Sequence, residues 1–424
     1  MIYFDPSEIM RGIRQLLISD KKRIGFLFGA GTSLAKKELD SPTVPAIGKL
    51  TELVSNELKE HYADALSSIK QDIEDGNLSF NVETLLSNVE EKINVVGKGS
   101  LNGLDKPNFI ALRDQIKQCI LKEVAIHKSI TSIEQLNKMI QVDFASWVLN
   151  ANRKYGIEIF TTNYDYLFEI GLEHCEVPYY DGFSGSYQPF FNPQSVESLT
   201  YLQSQTKLWK IHGSLGLRQI TSGKVVRVPS EHDCMLIYPS ILKYADSKKQ
   251  PYASFMDRLN LFLKQDDAVL FVCGYSFGDE HINERIISAL KSNSDAHVYV
   301  FFYDIVWENS CKINSFTEKH PLAKLAKECN KITVLASKYA VQGTKFGEWK
   351  LKREPSREDS IDINLYFDED APYDDSLPLK QERQGDELWT GKGELTVINF
   401  TKFVEFLQNM IPYERGEKDE RTVL

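Results

Sequence analysis

Four short segments of the chain combine glycine with residues that can bind phosphate, hold a hydroxyl or move a proton. The first is Gly29-Ala30-Gly31-Thr32-Ser33. Its glycines allow a sharp turn close to a pyrophosphate, and a helix starting there would offer free N–H groups. The second, Thr161-Thr162-Asn163-Tyr164-Asp165, places an amide and a carboxylate just past a run of strand formers. The third, Lys210-Ile211-His212-Gly213-Ser214, offers an imidazole that can take a proton from a ribose hydroxyl or a water. The fourth, Gly274-Tyr275-Ser276-Phe277-Gly278-Asp279, has two glycines and a small hydroxyl, which suit an adenine ribose lying against backbone. Each has a plain alternative. A glycine pair punctuates many strand ends, and Asn and Asp cap their own turns. A single histidine often serves a structural hydrogen bond, and Asp279 stands where a helix N-cap belongs.

The elements that must carry these segments are strands. Ile24–Phe28, Ile157–Thr162, Lys207–Ile211, Ala268–Cys273 and His297–Phe302 are short strand-like runs separated by helical patterns. This alternation predicts an α/β fold, a doubly wound parallel sheet covered on both faces. In such sheets ligands sit outside the carboxyl ends of the strands, where all four segments fall. Leu50 to Val148 has helical spacing and is too long for an ordinary crossover. It reads as a helical insertion, broken by the polar loop Gly97–Pro107. The expected organisation is therefore a nucleotide-binding domain over 1–305, with the insertion at about 50–150, and a C-terminal extension over 306–424. The extension contains an acidic stretch, Arg357–Asp386, and an amphipathic helix over Val397–Ile411. The helix crowds Phe400, Phe403 and Phe406 on one side. That face either packs on its own domain or is available for assembly.

Composition narrows the class. Hydrophobic residues are 42% and charged residues 26%, enough to bury a substantial core. The net charge of -10 argues against a general phosphate-backbone binder. The opening Met1-Ile2-Tyr3-Phe4-Asp5-Pro6 lacks the basic and then apolar pattern of a secretory signal, so a cytoplasmic protein is expected. The six cysteines form no C-x-x-C pair and read as reduced thiols.

Taken in order, the four segments resemble the sirtuin (silent information regulator) family. Gly29-Ala30-Gly31-Thr32-Ser33 is similar to its phosphate loop, and Thr162-Asn163-Tyr164-Asp165 to its Gln-Asn-Ile-Asp segment. His212-Gly213 matches its catalytic His-Gly pair, and Gly274-Tyr275-Ser276 its Gly-Ser/Thr-Ser loop. Two departures stand out. The four-cysteine zinc module of sirtuin deacylases is missing, with only Cys234 in that region, and Pro45-Ala46-Ile47-Gly48-Lys49 replaces a Pro-Asp-Phe-Arg stretch. The resemblance therefore implies NAD as substrate with no metal, and an NAD hydrolase of the kind used in bacterial anti-phage defence. Size and layout further resemble a subunit that works with a HerA-like hexameric ATPase, in a homo-oligomer; no membrane association and no direct nucleic-acid binding are expected.

By the same resemblance Asn163 and His212 are the catalytic residues, and Asp165 contacts the nicotinamide carboxamide. Gly29, Ala30, Gly31, Thr32 and Ser33 hold the pyrophosphate, and Gly274 and Ser276 face the adenine ribose. Asp279 is either a ligand contact or a helix cap. The competing readings are a non-catalytic sensor of NAD or ADP-ribose and a protein deacylase.

Overall fold

The computed structural model describes residues 2–228, 249–308, 311–356, 358–369 and 389–411. Cys234 and most of the acidic stretch, 357 and 370–386, lie outside the described residues. Ten strands form one sheet: β1 (Tyr3–Phe4), β2 (Arg23–Phe28), β3 (Glu158–Thr161), β4 (Tyr179–Tyr180), β5 (Thr206–Lys210), β6 (Ala268–Cys273), β7 (His297–Phe301), β8 (Ile332–Leu335), β9 (Tyr339–Gln342) and β10 (Lys345–Trp349). Their spatial order is β1-β10-β9-β8-β7-β6-β2-β3-β5-β4. From β8 to β4 every pairing is parallel, while β9 pairs antiparallel with both β8 and β10.

Side chains of β6 show why this sheet is covered twice. Val269, Phe271 and Cys273 point into one core, and Ala268, Leu270 and Val272 into the other. The period of two sends alternate residues to opposite faces, so β6, buried on both sides, reads as one continuous apolar run. On the first face lie α1 (Pro6–Ile18), α6 (Ile140–Asn150), α7 (Leu167–His174) and α11 (Phe400–Gln408). The second face is covered by α8 (Tyr252–Leu263), α9 (Glu280–Ser292) and α10 (Pro321–Glu328).

The helical stretch divides in two. Three helices, α3 (Ile47–Asp75), α4 (Val82–Val95) and α5 (Lys106–Val124), pack around a core of their own. Asn81 and Asp105 cap the starts of α4 and α5 through their side chains. By contrast, α6 belongs to the sheet layer, where Phe144 and Trp147 meet the ring of Phe26 edge-on. The expected insertion over 50–150 thus contains both a separate bundle and one sheet-covering helix.

The sheet also continues past residue 305, since β8, β9 and β10 extend it. The aromatic side of α11 is buried: Phe403 is 0% exposed, with its ring centroid 4.5 Å from that of Phe301. Of the two destinations open to that face, its own domain is the one taken. Among the described residues no helix is long and apolar enough to cross a membrane.

Candidate active site

The chain leaves β2 for β3 on one side and later returns to β6 on the other. β2 and β6 therefore flank the point where strand order reverses, the place where open α/β sheets bind ligands. Gly29 directly follows β2 and Gly274 directly follows β6. Their loops press together, with Gly29 N–H donating to Cys273 O at 3.1 Å and Gly31 N–H to Gly274 O at 3.0 Å. A Cβ on Gly29 would sit 2.4 Å from Gly274 O, and one on Gly31 2.7 Å from Gly274 Cα. Gly274 itself has φ +65°, a left-handed conformation that favours glycine. These glycines are required by loop-to-loop packing as well as by any ligand that approaches them. The helix that follows, α2 (Ala30–Leu34), is little more than one turn, and Ala30 is exposed on it.

Asn163 ties the next strand end to this loop. Its Nδ2 donates to Gly29 O at 3.1 Å, Thr32 Oγ1 at 3.1 Å and Ser33 Oγ at 2.7 Å. Oδ1 takes part in none of these bonds. Ser33 Oγ donates in turn to Asp165 Oδ2 at 2.6 Å, while Asp165 Oδ1 accepts from Leu167 N–H at 3.0 Å and opens α7. Both carboxylate oxygens of Asp165 thus hold protein donors. Asn163, Asp165, Thr32 and Ser33 are all buried.

His212, after β5, is 8% exposed. Its Nε2 lies 3.2 Å from Asp279 Oδ2. Asp279 also caps α9, with Oδ1 accepting from His281 N–H at 3.2 Å, so the cap and the contact with His212 coexist. Ser276 is exposed, its hydroxyl accepting from Gly278 N–H at 3.3 Å. The structure thus joins all four loops: glycine loop to Gly274, Asn163 to glycine loop, Asp165 to Ser33, His212 to Asp279. Ala30 and Ser276 lie at the exposed margin of this network.

Two further supports carry no local motif. Gln141, on α6, donates from Nε2 to Thr32 O at 2.8 Å and is 2% exposed. Its signal in the sequence is one polar residue inside the apolar run Ile140–Val142. Lys210, the last residue of β5, donates to the backbone oxygen of Asp165 and pairs with Glu169 Oε1 at 3.1 Å. Burial pushes the Glu169 carboxyl up from its ordinary value, and Lys210 opposes that shift. This pair locks the Asn163 loop to the strand that delivers His212. Elsewhere, a cavity of about 370 Å³ lined by Arg153, Tyr155, Val177 and Gln205 lies at the opposite, N-terminal ends of β3 and β5.

Fold and site together define a Rossmann-like α/β protein whose loops meet at the switch point of a largely parallel sheet. The SIR2-like domain family matches residues 157–326. That span holds the Asn163, His212 and Gly274 segments and supports a sirtuin-like family assignment, which suggests NAD-related chemistry at the family level. No curated protein matches the chain.

Proposed function

We propose that the chain is an NAD glycohydrolase that cleaves the nicotinamide–ribose bond to give nicotinamide and ADP-ribose. The observation that carries this reading is the meeting of four loops at the switch point, where hydrogen bonds join the glycine loop, Asn163 and Asp165, and His212 lies against Asp279. In the reaction the C1′–N bond breaks, its electron pair leaves with neutral nicotinamide, and the ribose becomes oxocarbenium-like. A water oxygen then bonds to C1′ and its proton leaves to a base. His212 is that base, and Asn163 holds the water or a ribose hydroxyl. The glycine loop, Thr32 and Ser33 meet the pyrophosphate, and the Gly274–Ser276 loop meets the adenine ribose.

The proposal extends to a place in anti-phage defence, as a homo-oligomer working with a HerA-like ATPase; size and layout support that extension. Purified full-length protein is incubated with NAD, alone and with the products of neighbouring genes, and free nicotinamide is measured. The expected result is stoichiometric nicotinamide and ADP-ribose, lost in His212→Ala while the protein remains folded. Wild-type turnover by His212→Ala removes His212 from the mechanism, and NAD binding without release in any mixture favours the sensor reading.

A further inference from the structure

His212 and Asp279 meet across an unusual span. One follows β5 and the other lies beyond β6, with β3 and β2 between. Neighbouring strands run ~4.8 Å apart, so the roots of the two loops are ~14 Å from each other. Yet Nε2 of His212 reaches within 3.2 Å of Asp279 Oδ2, and both side chains are 10% exposed. The two loops therefore bend toward each other over the ends of the middle strands, which carry the glycine loop and Asn163. Asp279 is itself held firmly, by its cap bond to His281 N–H and by the Tyr275 hydroxyl, which donates to its backbone oxygen at 3.1 Å.

A carboxylate only accepts, so a ring that pairs with Asp279 through Nε2 carries its proton there. A neutral imidazole that donates at Nε2 has Nδ1 as its one acceptor. We propose that Asp279 is the positioning residue of His212, fixing the proton on Nε2 and turning Nδ1 toward the substrate as base. This rests on the hydrolase reading above. In the hydrolytic step the water oxygen bonds to C1′, its proton passes to Nδ1, and Asp279 faces the imidazolium so formed.

The test uses full-length protein and the variants Asp279→Asn and Asp279→Ser. Asn and Ser both cap helices about as well as Asp, so α9 keeps its start. Asn presents an NH₂ to His212 in place of an acceptor, and Ser is too short to reach it. Nitrogen NMR of histidine-labelled protein without NAD, with the His212 signals identified by their loss in His212→Ala, reads the tautomer. Nε2–H is expected in the wild type and its loss or inversion in both variants. In turnover, kcat should fall by about a hundredfold or more while KM holds. An unchanged tautomer, or wild-type kcat in both variants, overturns the proposal. If the wild type releases no nicotinamide under any condition, the hydrolase reading fails, and the spectrum alone decides the pairing.

Discussion

The side-chain amide of Asn163 spends its N–H groups on the protein. Gly29 O, Thr32 and Ser33 all receive them in a buried pocket of hydrogen bonds. Removing the amide takes away the donor to Thr32 Oγ1 and Ser33 Oγ, while Gly29 O keeps the Thr32 N–H and hydroxyl; a lost bond at a buried group costs about 1–3 kcal/mol. Asn163→Ala is therefore expected to melt measurably lower, to lose turnover, and to show a smaller stabilisation by NAD in thermal melts. A variant that melts like the wild type and is fully stabilised by NAD contradicts this coupling. The Asn, the His and the glycines were legible as candidates because each follows an apolar run. Their orientation was not. Gly29 and Gly274 are far apart in sequence, and nothing local announces that one Cα must lie against the other's carbonyl.

At the scale of elements, β5 and the start of α7 are joined by a buried ion pair. Lys210 and Glu169 are 5% and 6% exposed, and their interaction is charge on charge away from water. Breaking such a pair by removing one partner costs about 3–5 kcal/mol, because a lone charge stays buried; replacing both by apolar groups can be neutral. Lys210→Met should therefore destabilise strongly in urea melts, and Lys210→Met with Glu169→Leu should recover much of the loss. A double variant no more stable than the single one contradicts the pairing. The strands around this pair were readable from their strand-forming residues, although β5 buries Lys207 and Lys210 beside Leu208 and Trp209. β8 to β10 were not. Their runs are four or five residues long, and β9 and β10 form a hairpin at the sheet's far side, where Glu348 and Lys345 interrupt the apolar pattern.

For the molecule as a whole, the terminal helix decides whether the chain beyond 305 is an appendage. α11 lies on the first face of the sheet, with Phe400 5.2 Å from Phe28 and Phe403 6.3 Å from Phe26 and 6.4 Å from Phe271, centroid to centroid. Its hydroxyl neighbour Thr401 donates to Lys36 O at 2.9 Å, just beyond the glycine-loop helix α2. The last described helix thus braces the first motif of the site across more than 360 residues of chain. The three-helix bundle leans on the site from elsewhere, since Leu215 is buried in its core and Tyr164 and Tyr166 pack against it. Deleting a fully buried phenylalanine costs about 3–5 kcal/mol through lost burial and the cavity left behind. Phe403→Ala should lower the urea midpoint accordingly while light scattering shows the oligomeric state of the wild type. Truncation after Val397 should yield a chain that no longer folds cooperatively, because Phe26, Phe28, Phe271 and Phe301 would lose their cover at once. A truncated protein that keeps the wild-type melting point but changes its assembly would reverse this conclusion and return the aromatic face to the role of a contact surface.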